Sequence, residues 1–165
     1  MRIRTVASVC TQLLVLGLIG AALFLRAPHV SGFSMEPRIR SGEFILINTL
    51  AYRFGGIRRG DIVAFRHDSP TPVTYLKRVI GLPGERVSID RGAVSIDGKP
   101  LDEPYVRYRD GRSRRSVVVP AGGVYVLGDN RANSDDSRNW GILPEHDVLG
   151  KAIVALWPPQ ELDAP

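Results

Sequence analysis

Cysteine is all but missing from this chain: Cys10 is the only one in 165 residues. It lies inside an apolar run, so neither a disulfide framework nor a thiolate zinc site can be built. Histidine is scarce as well. His29, His67 and His146 each stand beside Pro, Asp or Glu in what read as loops, which argues against a histidine-based catalytic triad. Lysine is rarer than the charge suggests, since of 22 basic Lys and Arg residues only Lys77, Lys99 and Lys151 are lysines. Beyond Pro28 there is no long helical period and no internal repeat, which excludes a helix bundle or a solenoid. The length leaves room for one ordinary domain plus an anchor, and none for two catalytic domains.

What is present is a globular composition, 44% hydrophobic and 24% charged, with a formal net charge of +5 and a sequence pI near 9.8. That charge raises nucleic acid and anionic lipid as partners. The densest basic stretch, Arg107 to Arg115, carries Tyr108 and follows Tyr105, a basic-aromatic pattern that nucleic-acid surfaces use. A solvated loop is the commoner fate of such a run, and no nucleic-acid partner is expected.

From Thr5 to Leu25 no residue is charged, and Arg4 and Arg26 bracket the stretch. At about 1.5 Å per residue a helix of that length covers a bilayer core of about 30 Å. A cleavable signal peptide competes with this reading, with Arg2 and Arg4 as its basic start and Gly20-Ala21-Ala22 as its small-residue site. Apolar character continuing through Leu23, Phe24 and Leu25 favours an uncleaved span. Residues 1–26 are thus expected to be a short stub and transmembrane anchor, and residues 27–165 a β-rich domain. Charge alone leaves the orientation open, because arginines flank both ends.

After the anchor, short β-rich runs alternate with Gly, Pro and Asp, the pattern of an all-β domain. Expected strands are Glu43–Asn48, Asp61–Arg66, Val73–Ile80, Arg86–Ile89, Ala93–Ile96, Val117–Val119, Val124–Leu127 and Leu149–Leu156. Asp97-Gly98 is a hairpin signal, and Asp90-Arg91-Gly92 marks another turn. The Arg-rich stretch from about Pro100 to Ser116 reads as an excursion from the sheet rather than as core.

Three segments carry possible chemistry. In Val73-Thr74-Tyr75-Leu76-Lys77-Arg78-Val79-Ile80, strand alternation puts Lys77 on one face with Val73, Tyr75 and Val79. Burial there disfavours the ammonium and brings a lysine toward the range where it accepts a proton, unless its amine reaches water along a packed stem. Ser34 precedes Met35, Glu36 and Pro37 just after the anchor, an arrangement unremarkable by itself. The third segment, Gly128 to Arg138, is a dense polar loop after an apolar run. As an EF-hand it fails, with Arg131 and Trp140 at ligand positions, and as a phosphate loop it lacks the Gly and Lys spacing.

In this order, Ser34-Met35-Glu36-Pro37, then Tyr75 through Glu85, then Gly128 through Arg138 with Trp140-Gly141 and Pro144, the chain resembles the bacterial type I signal peptidases, a family of Ser-Lys proteases. The resemblance runs from about Val30 to Trp157. It implies antiparallel sheets in a partly open, barrel-like domain behind one N-terminal transmembrane helix. It also implies that Ser34 is the nucleophile, that Lys77 is the general base and that the Ser34 N–H is an oxyanion donor. Ser134 would orient Lys77, Asp136 and Arg138 would form a supporting ion pair, and Asp129 and Arg131 would be structural. Met35, Ile39, Tyr75 and Leu76 would shape a shallow pocket for small side chains of an Ala-x-Ala site. Expected substrates are secretory preproteins, cut at the extracytoplasmic face of the cytoplasmic membrane, with no metal and no cofactor. Gly32 occupies the position where some branches carry a second oxyanion donor, Ser31 is out of register, and Arg38 replaces a usual Thr. Two other functions fit parts of the sequence: a related processing protease with a dedicated substrate such as a pilin, and a non-catalytic β module tethered to lipid.

Overall fold

Which strands alternate and which do not follows from how many of their faces are covered. The computed structural model describes residues 11–17, 20, 22, 24–67, 73–157 and 159–161, with side chains described as far as residue 153. Among the described residues there are twelve strands: β1 (Leu25–Arg26), β2 (Phe44–Asn48), β3 (Ile62–Phe65), β4 (Tyr75–Gly81), β5 (Arg86–Asp90), β6 (Ala93–Ile96), β7 (Lys99–Pro100), β8 (Arg114–Val118), β9 (Gly123–Leu127), β10 (Leu143–Pro144), β11 (Val148–Trp157) and β12 (Pro159–Glu161). The larger sheet runs β1-β2-β11-β3-β4-β9-β10, with β12 on β11, and the smaller runs β7-β6-β5-β8. Every pairing is antiparallel.

At the centre of the larger sheet, Ile62-Val63-Ala64-Phe65 and Gly123-Val124-Tyr125-Val126-Leu127 are buried at every position. Both of their faces are covered, so they read as unbroken apolar runs. One face of β3 packs with Met35, Ile39, Ile45 and Ile47; the other packs Val63 and Phe65 with Val79, Val126 and Leu143. β5 and β6, by contrast, bury Val87, Ile89, Val94 and Ile96 and turn the intervening residues outward. That is the period of two expected of a sheet covered on one side.

Turn chemistry fixes the smaller sheet. Asp97 and Gly98 have φ of +50° and +79° between Ile96 and Lys99, which pair across the turn. Both positive angles belong to the type I′ hairpin turn that the Asp-Gly dipeptide signals. Arg91 and Gly92 repeat the geometry between the paired Asp90 and Ala93. A Cβ on Gly92 would fall 2.2 Å from the Asp110 carbonyl oxygen, so this turn also admits the backbone of the Arg-rich segment.

Three expectations change here. The span from Thr5 to Leu25 lies partly outside the described residues; of it, residues 11–17 form a helix, α1. No helix among the described residues is long and apolar enough to cross a membrane. The apolar run does not stay helical to its end. Phe24 is in a turn whose carbonyl accepts from the Thr49 N–H (3.0 Å) and hydroxyl (2.9 Å), and Leu25 and Arg26 pair with Asn48 and Ile47.

Second, the Pro100–Ser116 stretch leaves the sheet between β7 and β8 but is not simply solvated. Val106 is buried, Leu101 and Tyr105 pack on the core, and Arg114 to Ser116 belong to β8. Third, β1, β7, β10 and β12 are too short to carry an alternation, which is why no sequence period announces them.

Candidate active site

The site is assembled by three separate pieces of chain. Strand β4 carries Lys77, held in register with Val63 of β3 and bordered on its own face by Val79. The turn at residues 33–39 carries Ser34 and is anchored beneath by Met35 and Ile39, both buried in the core. The loop after β9 closes over this turn: the Asn130 N–H donates to the Ser34 carbonyl at 3.0 Å, and Asn130 Nδ2 donates to the Phe33 carbonyl at 3.1 Å. Gly128 makes the close approach possible. A Cβ there would lie 2.3 Å from Ser134 Oγ and 2.5 Å from the Ser34 carbonyl oxygen.

The result is a short contact between Lys77 Nζ and Ser34 Oγ, 2.9 Å. Nζ also donates to the Leu76 carbonyl at 3.1 Å. Lys77 is 3% exposed, and among the described residues its amine has no carboxylate at ion-pair distance. The other two lysines differ: Lys151 lies 3.0 Å from Asp61, and Lys99 is in an exposed strand. Burial disfavours the Lys77 ammonium and lowers its pKa from 10.5 to about 8, against the upward pull of Asp136 and Asp135. The amine is therefore convertible to a proton acceptor near neutral pH while it touches a hydroxyl.

Around this pair sits a layer of arginine–carboxylate contacts. Arg78, the neighbour of Lys77 on β4, binds both oxygens of Asp129 at 2.8 and 2.7 Å and donates to the Gly60 carbonyl. The Tyr105 ring lies against its guanidinium, 4.1 Å from ring centre to Cζ. Arg138 binds both oxygens of Asp136 at 2.8 Å, and Asp136 in turn accepts from the Gly128 N–H at 3.0 Å. Arg138 and the Gly128 amide hold the Asp136 carboxyl below its usual range, against burial, which alone would raise it. Asp136 also caps the short helix α2 (Ser137–Trp140) by accepting from the Arg138 N–H.

Thus Ser34 and Lys77 meet, and Asp136 pairs with Arg138. Asp129 pairs with Arg78, and Arg131 pairs with Glu103. Ser134 Oγ is buried against Gly128, without a well-formed hydrogen bond, and Lys77 is not among its partners. It lies near enough to Asp136 to help keep that carboxyl ionised. Met35, Tyr75 and Leu76 line a cleft of about 330 Å³ beside Ser34 and Lys77, whereas Ile39 is fully buried behind Met35. Sequence reasoning missed Glu103 and Asp110. Glu103 binds Arg131 through both oxygens, and Asp110 binds Arg138 at 3.0 Å. The available signal was arithmetic: a loop holding Arg131 and Arg138 beside buried strands needs carboxylates, and the Arg-rich stretch has them.

The family described as signal peptidase, peptidase S26, matches residues 2–157. A curated signal peptidase I from Leptolyngbya laminosa is 37% identical over 82% of this chain and 70% of its own length. A signal peptidase IB from Staphylococcus aureus is 31% identical over 93% of this chain and 88% of its own. A solved signal peptidase I from Enterococcus faecalis V583 aligns at TM-score 0.48 with 34% identity, over 58% of this chain and 95% of that one. With the family matched over nearly the whole sequence, this chain belongs to the signal peptidase I group of peptidase S26, which are serine endopeptidases.

Proposed function

We propose that the protein removes N-terminal signal peptides from secretory preproteins after an Ala-x-Ala-like site, with Ser34 as nucleophile and Lys77 as general base. The observation that carries this is the 2.9 Å approach of a buried Lys77 amine to the Ser34 hydroxyl. Neutral Lys77 takes the Oγ proton as Oγ attacks the carbonyl that precedes the cut. The Ser34 N–H stabilises the oxyanion, and the Lys77 ammonium returns its proton to the leaving amine. Water, deprotonated by the same lysine, then releases the signal peptide from Ser34. No cofactor is needed for these steps.

Substrate choice follows from depth. Met35, Tyr75 and Leu76 bound the cleft beside Ser34, with the buried Ile39 behind them, and in this reading these walls favour a small side chain next to the cut. The same proposal includes a partly open, barrel-like arrangement of the sheets, residues 1–26 as a single-pass anchor in the bacterial cytoplasmic membrane, and the domain on its extracytoplasmic side. The apolar N-terminal stretch, eight residues from Leu25 to the turn bearing Phe33 and Ser34, supports placing the chemistry at the membrane surface.

The test is to incubate the detergent-solubilised protein with an Ala-x-Ala preprotein and sequence the new N-terminus. Cleavage after the second Ala is expected, with strong resistance when Phe replaces it. Equal cleavage of the Phe form would refute the pocket. Protease added to intact spheroplasts should degrade the domain, and complete protection would refute the orientation.

A further inference from the structure

The cleft beside Ser34 continues past Thr74. Pro28 and Thr74 line both it and a second hollow of about 740 Å³. There the apolar side chains of Phe24, Ile47 and Leu149 stand with two cationic ones, Arg26 and Arg66. Pairing of β1 with β2 holds Arg26 opposite Ile47, and pairing of Phe65 with Tyr75 brings Arg66 alongside Thr74. The Arg66 N–H donates to the Asp147 carbonyl, but the Asp147 carboxylate lies toward His146. Among the described residues neither guanidinium is within ion-pair distance of a carboxylate.

The direction of a bound substrate connects the two hollows. Under the function proposed above, on which this inference rests, the apolar part of a signal peptide lies upstream of the cut and must reach the bilayer. The second hollow is on that route, because its wall is built by Phe24 and Arg26, where the chain leaves its own apolar N-terminal stretch. Thr74 precedes Lys77 by three residues, roughly 10 Å of extended chain. A substrate strand with its scissile carbonyl at Ser34 therefore brings residues roughly four to six positions before the cut abreast of the arginines.

We infer that Arg26 and Arg66 form an electrostatic subsite for the stretch of signal peptide just upstream of the Ala-x-Ala site, favouring acidic and disfavouring basic side chains there. The apolar walls accept the chain itself and the guanidiniums read its charge. A carboxylate at that distance finds two cations that no carboxylate among the described residues compensates, whereas a lysine meets like charge.

The experiment compares kcat/KM for preproteins with Asp, Ser or Lys at the fifth position before the cut, in uncharged detergent at low salt. The parent should prefer Asp to Lys by about fivefold, the scale of one exposed charge pair. Arg66→Glu should invert the ratio, and the Arg26→Gln/Arg66→Gln double variant should bring it near one. In 1 M salt, where the screening length falls to about 3 Å, the parent's preference should vanish. Each ratio is internal to one enzyme, so a smaller folded fraction cancels; if Arg66→Glu yields no cleavage at all, Arg66→Gln carries the comparison. Efficient cleavage with a parental ratio of one, or an unchanged ratio in the variants, overturns the subsite and leaves the Ala-x-Ala reading intact. Failure to cut any of the three preproteins overturns that reading instead. A preference present only in vesicles of anionic lipid would assign the arginines to headgroups and equally overturn the subsite.

Discussion

Lys77 shows how a single residue type becomes informative against its background. Arginine outnumbers lysine throughout the chain, yet a guanidinium cannot give up its proton at accessible pH. Replacing Lys77 by Arg keeps the charge and removes the proposed base, so Lys77→Arg should lose activity as completely as Lys77→Ala, by roughly 10²–10⁴ or more. Cleavage by Lys77→Arg near the parental rate, with folding checked by circular dichroism, would rule out a lysine base. The depressed pKa also sets a sign. Under the proposed mechanism, free enzyme with Lys77 protonated is inactive, and the neutral fraction grows as pH rises through about 8. The rate at low substrate should therefore climb tenfold per unit below that value and level off above it. Linkage runs the same way: burial favours the neutral amine, so this group's penalty on folding is full below about 8 and fades as pH rises from there toward 10.5.

At the scale of elements, the turn bearing Ser34 and the loop after β9 behave as one unit. Their spacing is set by Gly128, whose missing Cβ leaves room for Ser134 Oγ and the Ser34 carbonyl. Gly128→Ala should push the two apart, and a displacement of about 1 Å at the nucleophile should lower kcat by about 10²-fold. Far-ultraviolet spectra should stay parental, and an unaffected kcat would show that the contact is slack. The strands themselves were legible: eight expected runs correspond to β2, β3, β4, β5, β6, β8, β9 and β11 within a few residues, because alternation and turn residues are local properties. The chemistry was less so. Taken alone, Ser34 before Met35 carries no signal, and Lys77 could have sent its amine to water. Family resemblance joined them, since the contact spans 43 residues of sequence that no local pattern relates. Glu103 and Asp110 were illegible for the same reason: their partners Arg131 and Arg138 are 28 residues away. Glu103→Gln tests that buried contact. It leaves Arg131, 4% exposed, with a cation and no counter-charge, and should cost about 3–5 kcal/mol in urea unfolding. A loss under about 1 kcal/mol would mean that water reaches the pair.

For the molecule as a whole, the question is where the proposed anchor stops and the folded unit starts. An apolar count put that boundary at Leu25–Arg26, whereas hydrogen bonding puts it earlier. The Phe24 carbonyl takes two donors from Thr49, Leu25 and Arg26 pair with β2, and the Pro28 carbonyl accepts from the Ile45 N–H at 3.1 Å. These bonds tie residues 24–28 to strand β2, beneath which Ile45 and Ile47 pack on Met35 and Ile39. Shortening the chain from its N-terminus should thus have a threshold instead of a gradual effect. Removal of residues 1–22 touches none of these bonds and should change the urea unfolding free energy by less than about 0.5 kcal/mol. It should abolish sedimentation with membranes while a short Ala-x-Ala peptide is still cut. Removal of residues 1–28 deletes the carbonyls of Phe24 and Pro28 and the whole of β1. At about 1 kcal/mol for each hydrogen bond lost, stability should fall by roughly 3–4 kcal/mol. Activity should fall with it, because Pro28 walls the cleft in which Ser34 lies. Equal losses from the two truncations would place the start of the folded unit before residue 22, and equal stability would place it after residue 28.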